Sequence, residues 1–124
     1  MKLLSIAATN SSPMVRLDPE GIMIIQGRSY IEDAGSFYKP IIEWVKNFNA
    51  HTLTLEIRLE YINKNSSTHI YFLLKSIQEN NKIQKKSIKW LYEDDDEELF
   101  EMGKDYESKI TIPFEFHEFC EHIN

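Results

Sequence analysis

Cysteine is almost absent from this sequence, in which Cys120 is the single one among 124 residues. One thiol cannot form an intrachain disulfide, which fits a protein of the reducing cytoplasm. His117 and His122 lie nearby, so these three residues are a candidate thiolate–imidazole pair or zinc site. Zinc ligands normally come as two pairs at regular spacing, and a second cysteine pair is missing here. We therefore expect a polar C-terminal tail without a metal.

Long apolar runs are also missing. A membrane-spanning helix needs about 18 consecutive apolar residues, and no stretch of this sequence approaches that length. The opening segment, Met1 to Ser12, has one lysine and a short apolar run, which gives it a faint likeness to a secretory signal. Because that run is too short and leads directly into a predicted strand, we predict a cytoplasmic protein that does not bind the membrane.

Positive charge is in short supply, since 14 Lys and Arg stand against 20 Asp and Glu and the net charge is −6. Proteins that bind nucleic acid by neutralising phosphates need the opposite balance, so this class is excluded. A local basic cluster does occur, and we interpret it as a solvated connection between a helix and a strand. Its members are Lys82, Lys85, Lys86 and Lys89.

Motifs for cofactors or catalysis are missing as well. The segment Gly27-Arg28-Ser29-Tyr30 lacks the repeated glycine and the lysine of a phosphate-binding loop. The acidic run at residues 93–98 lacks the alternation and the glycine of a calcium loop. Acids in a first helical turn are instead favoured by the helix macrodipole. We predict no metal, no cofactor and no enzymatic activity.

The apolar pattern that is present predicts a single α/β domain over residues 1–124. Residues 52–62 alternate in polarity, which indicates a strand with one buried face. The apolar side of that strand is Leu53, Leu55, Ile57, Leu59 and Tyr61. Residues 66–80 have the apolar spacing of an amphipathic helix. With a strand at 86–92, they form a β-α-β unit at about 52–92, whose two strands are most simply parallel.

The other predicted elements complete a mixed sheet with about three helices packed mainly on one face. They are strands near 3–8, 14–17, 22–27 and 110–116, and helices near 33–49 and 95–106. The turn residues Asp18-Pro19-Glu20-Gly21 predict a hairpin between the second and third strands. Pro40 either lies in the first turn of its helix or marks a kink.

Polar residues fill the junction between the strand at 52–62 and the helix that follows, and here we place the candidate functional site. They are Asn63, Lys64, Asn65, Ser66, Ser67 and Thr68. Their amides and hydroxyls can cap the free N–H groups of the helix start, where an anion such as phosphate is also favoured. His69 is a candidate phosphoryl acceptor, although its position is typical of a surface helix residue.

The segment from Leu59 to Thr68, LEYINKNSST, resembles the signature of the SiaC-type regulatory phosphoproteins. The usual pattern in this bacterial family is Leu-Glu-Tyr-Phe-Asn-Thr-Ser/Ala-Ser-Ser-Lys. Five further pieces match in the same order, so the resemblance covers almost the whole chain. They are Ser12-Pro13 with Leu17–Gly21, Ile25–Tyr30, Phe37–Ile41 with Trp44, Trp90–Glu93, and Pro113-Phe114.

This resemblance implies a partner-switching protein with a STAS-like fold, related to the anti-sigma-factor antagonists. In the family, one threonine of the Asn-Thr-Ser motif is phosphorylated by a Ser/Thr kinase and dephosphorylated by a PPM-type phosphatase. The unphosphorylated form binds and activates a diguanylate cyclase, which raises cyclic di-GMP and promotes aggregation or biofilm. The resemblance also implies that Gly27 and Arg28 shape a loop beside the switch region.

The partner is then expected to contact the junction itself and the exposed flank of the helix after it. We expect this contact to include Tyr61, His69, Lys75, Glu79 and Asn80, with Gly27 and Arg28. A phosphate added at the junction would act through its charge, its desolvation cost and its bulk.

The chain departs from the family pattern at the acceptor, because an ungapped alignment places Lys64 at the position of the phosphorylated threonine. A two-residue shift would instead align Asn65-Ser66-Ser67 with Asn-Thr-Ser, but the apolar positions of the following helix would then lose their match to the family. Lysine cannot form the phosphoester, and its charge is opposite in sign to that of a phosphate. Two hypotheses follow: Ser66, Ser67 or Thr68 has become the acceptor, or phosphorylation no longer switches this protein.

Two other functions stay open. An anti-sigma-factor-antagonist-like regulator of transcription would be encoded beside a sigma factor, whereas a regulator of cyclic di-GMP would be encoded beside a diguanylate cyclase. A small enzyme using the acidic run would lose turnover when Asp94, Asp95 and Asp96 are substituted.

Overall fold

The computed structural model describes residues 1–120 and forms one six-stranded sheet with three helices among them. The elements in chain order are β1 (Leu4–Ile6), β2 (Met14–Leu17), β3 (Ile22–Ser29), α1 (Ala34–Lys46), β4 (Thr52–Ile62), α2 (Lys64–Glu79), β5 (Lys85–Glu93), α3 (Glu97–Lys109) and β6 (Phe114–Phe119). The predicted α/β class and the predicted number of helices are confirmed.

The strands lie in the sheet in the same order as in the chain, from β1 to β6. The first three pair antiparallel, and β3 to β6 pair parallel. Each parallel step is made by one helical crossover, and all three crossovers advance in the same direction. Since such crossovers are right-handed, α1, α2 and α3 lie together on one face of the sheet. The β-α-β unit at 52–92 is β4-α2-β5.

The core lies between that face and the helices. On β4 the alternation of side chains buries Leu53, Leu55, Ile57 and Leu59, while α2 buries Ile70, Leu73, Leu74 and Ile77 against them. Trp90 of β5 is also buried, and its Nε1 donates a hydrogen bond of 3.0 Å to the carbonyl oxygen of Leu99 in α3. The periodicities that predicted the strand and the helix therefore correspond to the packed surfaces.

Tyr61 breaks the predicted alternation and does not lie on the buried face. The register with β3 shifts at this point, because Gly27 pairs with Leu59 whereas Arg28 pairs with Tyr61. Glu60 is thus the extra residue of a β-bulge, which turns the next side chain to the opposite face. Tyr61 is 59% exposed as a result, and the prediction that it faces the core was wrong.

Some predicted boundaries also need correction. The strand predicted at 22–27 continues to Ser29, so Gly27 and Arg28 lie within β3 and do not form a loop. Pro40 lies in the second turn of α1, which excludes the first-turn alternative. The final strand begins at Phe114 and not near 110. The turn at Asp18–Gly21 is confirmed, with a 2.9 Å hydrogen bond from the Gly21 N–H to the Asp18 carbonyl oxygen.

Candidate functional site

Asn63 begins α2 and joins it to the segment that follows β3. Its Oδ1 accepts a hydrogen bond of 2.9 Å from the Ser66 N–H, and its Nδ2 donates one of 3.1 Å to the carbonyl oxygen of Ile31. Its own N–H donates to the Ser29 carbonyl oxygen at 3.0 Å. An asparagine amide can accept and donate at once, so this one residue caps the helix and anchors its start.

The three hydroxyl residues of the junction differ in accessibility. Ser66 is fully buried, and its Oγ has no hydrogen-bond partner among residues 1–120. Ser67 is half-buried, with its Oγ 2.9 Å from the hydroxyl oxygen of Tyr106. Thr68 is exposed, and its Oγ1 donates a bond of 3.2 Å to the Lys64 carbonyl oxygen. Thr68 is therefore the accessible hydroxyl of the three.

Two buried tyrosines form hydrogen bonds beneath this junction. The Tyr106 hydroxyl of α3 donates 2.7 Å to the Ser67 carbonyl oxygen, so the Ser67 hydroxyl must be the donor to Tyr106. The Tyr38 hydroxyl of α1 lies 2.7 Å from Ser29 Oγ in β3. Burial raises the pKa of Tyr38 to about 12 and that of Tyr106 to about 12, because desolvation disfavours a phenolate. Both hydroxyls thus remain protonated at neutral pH.

The exposed side of α2 carries a row of four residues, which we call the α2 stripe: Lys64, Thr68, Tyr71 and Lys75. Their spacing of i, i+4, i+7 and i+11 places them along one helix face. Lys64 and Thr68 are exposed, and Tyr71 and Lys75 are half-buried. The contact residues predicted on this flank also include Glu79, which is exposed at the last position of the helix.

Asn80 was predicted on the same exposed flank, and this prediction was wrong. Its side chain is buried, and its Nδ2 donates two hydrogen bonds of 2.9 Å, to the carbonyl oxygens of Val45 and Phe48. These carbonyls lie at the C-terminal end of α1, where the last helical groups lack intrahelical partners. Asn80 therefore ties the end of α2 to the end of α1.

Arg28 and Tyr61 lie together on the face of the sheet opposite the helices. The Arg28 guanidinium carbon is 5.3 Å from the centroid of the Tyr61 ring, and its Nε lies 3.4 Å from Glu60 Oε2. Both residues stand at the carboxyl ends of their strands, next to the start of α2. Gly27 has φ +122, a conformation that suits glycine. Because it has no side chain, it can offer only its backbone groups to this site.

The His69 side chain of α2 packs against α1. Its Nδ1 lies 2.9 Å from the Asn65 carbonyl oxygen, which requires a proton on this nitrogen. Its Nε2 faces Gly35, where an added Cβ would stand only 3.2 Å away. Neither nitrogen is well placed to receive a phosphoryl group, so the geometry favours packing over the acceptor role.

The acidic and basic clusters have structural roles. Asp96 caps α3 by accepting a 3.0 Å bond from the Leu99 N–H, and Glu97 and Glu98 follow in its first turn. Lys82 and Lys86 donate to the carbonyl oxygens of Lys46 and Gln78, at 3.4 Å and 2.7 Å. Desolvation by burial lowers the pKa of Lys86.

Among residues 1–120, no group of three or more His, Cys, Asp and Glu side chains is arranged to hold a metal ion. Cys120 is exposed as a free thiol. The third member of the candidate C-terminal cluster, His122, lies outside the described residues.

The structure brings together Asn63–Thr68, Tyr61 and Arg28 at one end of the sheet, with Lys75 further along α2. Sequence reasoning missed Tyr38 and Tyr106 as supports of this site. Each contact joins two different elements, with a sequence separation of nine for Tyr38 and Ser29 and of 39 for Tyr106 and Ser67. No pattern within one element could have predicted them.

Together, the fold and this junction define a small α/β domain with one sheet, helices on one face and a firmly anchored, polar helix start. The chain belongs to the SiaC family of regulatory phosphoproteins, whose model matches residues 6–119. Among curated proteins, it is 29% identical to an uncharacterised protein of Pseudomonas aeruginosa strain UCBPP-PA14, over 92% of this chain and 94% of the relative.

Solved structures of SiaC from Pseudomonas aeruginosa have the same fold. The apo-SiaC crystal structure superposes with a TM-score of 0.84 at 27% identity, over 94% of this chain and 99% of that one. SiaC in complex with the diguanylate cyclase SiaD, which it activates, gives a TM-score of 0.85 at 27% identity with the same coverage. The relation of this fold to the STAS domains stays a prediction. Within residues 1–120, no helix is both long enough and apolar enough to cross a membrane.

Proposed function

We propose that this protein is a non-enzymatic regulator that binds and activates a diguanylate cyclase, and so controls cyclic di-GMP. The observation that carries the proposal is the similarity, along 94% of the chain, to a SiaC protein crystallised with the cyclase that it activates. A match of this length includes the start of α2 and the strand ends beside it.

The proposed docking surface is the α2 stripe together with the end of the sheet beside the start of α2, where Arg28 and Tyr61 lie. Arginine and tyrosine are enriched among the residues that contribute most to protein interfaces. The stripe adds two cations, Lys64 and Lys75, on a molecule whose net charge is −6. A cyclase surface rich in carboxylates would complement this local positive charge.

A kinase and a phosphatase complete the proposed function. The family is described as regulatory phosphoproteins, and a reversible phosphate requires one enzyme to add it and one to remove it. We assign these roles to a Ser/Thr kinase and a PPM-type phosphatase, as the resemblance implies. The unphosphorylated form would be the one that activates the cyclase.

The test is a cyclase assay with purified components. Unmodified protein, made in a host that lacks the kinase, is added to the diguanylate cyclase of the source organism, and the rate of cyclic di-GMP formation is measured. We expect the rate to rise and a complex to elute on size-exclusion chromatography. If neither occurs with folded protein, the proposed function is wrong.

A matched pair of variants tests the surface. Lys75→Glu reverses a charge on the α2 stripe, and Lys39→Glu makes the same change at an exposed position of α1. We expect Lys75→Glu to weaken cyclase binding about tenfold, because like charges would then face each other, and Lys39→Glu to leave it unchanged. Equal effects would exclude the stripe from the interface.

A further inference from the structure

The outer side of β6, which we call the β6 edge, is an open end of the sheet. Within residues 1–120, β6 is the last strand of the sheet and pairs on one side only, with β5. The carbonyl oxygens of Pro113 and Phe119 accept hydrogen bonds from the N–H groups of Ile88 and Asp94, so the odd-numbered residues pair toward β5. The N–H and C=O groups that point outward are those of Phe114, Phe116 and Glu118.

The two edges of the sheet differ in how well they are protected. β1 has only three residues, and a short edge strand is a poor template for further pairing. β6 has six residues without a proline or a lysine among them, and its pairing with β5 shows no register shift. Proline, lysine and bulges are features that keep an edge strand from pairing with another chain. The β6 edge can therefore accept a further strand.

α3 leaves this edge accessible because it packs over both β5 and β6. The point of closest packing is Gly103, where an added Cβ would lie 2.6 Å from Trp90 Nε1 and 2.8 Å from Phe116 Cε2. Beside it, Phe100 of α3 contacts Phe116, with 5.5 Å between the ring centroids. Phe114 and Phe116 are only half-buried. Aromatic rings thus border the edge on its helix side, and a neighbouring strand would bury more of their surface.

We propose that the β6 edge pairs antiparallel with the β6 edge of a second copy of this chain, about a two-fold axis at Phe116. The two sheets then form one continuous sheet with the helices of both copies on the same face. A two-fold interface uses the same patch on both subunits, so the strand must be complementary to its own reverse. Phe116 lies opposite Phe116 of the second copy, and Phe114 lies opposite Glu118. Each of these residues exchanges N–H···O bonds with the one opposite.

The side chains on the other face select this register. Glu115 and His117 both lie there, with 3.8 Å between Glu115 Oε1 and His117 Nε2 of one strand. With the axis at Phe116, each Glu115 lies opposite His117 of the second copy, and an imidazole N–H can donate to each carboxylate. An axis at Glu115 or Glu118 would place two carboxylates opposite each other. An axis at His117 would leave each Glu115 opposite Phe119. Self-complementarity in one register favours a second copy over an unrelated strand.

This inference is independent of the proposed function. α3 lies between α2 and the β6 edge, because it lines one depression with α2 and contacts Phe116 on its other side. The α2 stripe therefore stays uncovered in the dimer, which presents two stripes. A protein that fails to dimerise could still activate the cyclase, and the two proposals fail separately.

Sedimentation velocity of the full chain, from micromolar to millimolar concentration, tests for the dimer. We expect the mass to rise from that of one chain to that of two. His117→Glu places carboxylates opposite each other and should weaken association about tenfold, whereas His51→Glu, the same change at an exposed position before β4, should not. The exchange Glu115→His/His117→Glu keeps both pairs and should restore association.

Three results of this experiment would overturn the proposal. The first is the mass of a single chain at every concentration. The second is an equal effect of His117→Glu and His51→Glu, which would place the contact away from β6. The third is a double variant that associates no better than His117→Glu, because the predicted pairing of Glu115 with His117 would then be absent.

Disulfide crosslinking tests the register, in proteins whose native thiol is removed by Cys120→Ser. Phe116→Cys places two thiols opposite each other at a Cα separation of about 5.5 Å, which a disulfide spans, so copper–phenanthroline should yield a covalent dimer. Phe114→Cys is the matched control, because its two copies lie four residues apart along the strands, about 13 Å. A covalent dimer from Phe114→Cys alone would overturn the register. If Phe116→Cys does not fold, the exchange of Glu115 and His117 still decides.

Discussion

At the scale of single residues, Tyr61 shows how one inserted position changes the surface that a partner meets. The bulge at Glu60 turns the ring out of the core and places it beside Arg28. Without the bulge, the alternation of β4 would bury the ring. The Tyr61 side chain changes direction at the end of β4, just before the chain continues into α2.

We expect Tyr61→Ala to weaken binding of the cyclase by about tenfold or more, because exposed tyrosines beside an arginine are frequent anchors of interfaces. Ile22→Ala is the control, since Ile22 is an apolar residue that is 58% exposed at the opposite end of β3. Titration calorimetry with each purified variant gives the two dissociation constants. A larger loss with Ile22→Ala would mean that the interface lies at the other end of the sheet.

Ser66 gives a second prediction at this scale, about stability. Its buried hydroxyl has no partner within residues 1–120, and an unpaired buried hydroxyl is destabilising. We expect Ser66→Ala to raise the free energy of unfolding by about 1 kcal/mol. Ser67→Ala should lower it by about 1 kcal/mol, because it breaks the bond to Tyr106. Urea unfolding measures both, and a loss of stability in Ser66→Ala would contradict the prediction.

At the scale of elements, α3 packs on the sheet through a glycine. A Cβ added to Gly103 would lie 2.6 Å from Trp90 Nε1 and 2.8 Å from Phe116 Cε2, distances that force α3 away from β5 and β6. The same movement would strain the bond from Trp90 to the Leu99 carbonyl oxygen. Close packing of this helix therefore requires a residue without a side chain.

We expect Gly103→Ala to lower the free energy of unfolding by about 1–3 kcal/mol, as overpacking of a filled core does. Gly35→Ala is the control: it also replaces a helical glycine, but its Cβ would meet the His69 ring at 3.2 Å. That ring can shift, and alanine gains about 1 kcal/mol in helix propensity, so we expect little net change. Equal losses in thermal unfolding would argue against the clash at Trp90.

Patterns that repeat along one element were predictable, and contacts between distant elements were not. The strand at Thr52–Ile62 was predicted with its observed ends because its alternation is local. The bulge at Glu60 depends on how β4 meets β3, and Asn80 is buried because α1 ends beside it. The accessibility of the junction hydroxyls was unpredictable for the same reason. Ser66, Ser67 and Thr68 are chemically alike in the sequence, and packing against the sheet and α3 makes their exposure differ.

At the scale of the whole molecule, the sheet has helices on one face, and its other face is made compatible with water by alternating charge. Glu56 of β4 pairs in register with Lys89 of β5, which pairs with Glu115 of β6. Opposite charges across neighbouring strands stabilise a sheet surface, and like charges would not. The helix face, in contrast, is covered by the apolar core, and two hydroxyl pairs lie near the start of α2, Tyr38 with Ser29 and Tyr106 with Ser67.

Those two tyrosines should make the whole fold sensitive to alkali. Their pKa is about 12 in the folded protein, against an ordinary value of 10.0. Above pH 10 the unfolded chain therefore loses these protons first, and the folded state is destabilised as the pH rises from about 10 to about 12. At pH 11, each tyrosine should remove about 1 kcal/mol of the stability present at pH 9.

Urea unfolding of the wild type and of the double variant Tyr38→Phe/Tyr106→Phe at pH 9 and pH 11 tests this. The variant should be less stable at pH 9, because Ser29 and Ser67 lose their partners, but its further loss at pH 11 should be smaller by about 2–3 kcal/mol. Lysines titrate in both proteins, so their effect cancels in the difference. If the wild type and the double variant lost the same stability between pH 9 and pH 11, the phenols would ionise as readily in the folded state as in the unfolded state. That result would mean that α1 and α3 open at the helix start before the protein unfolds.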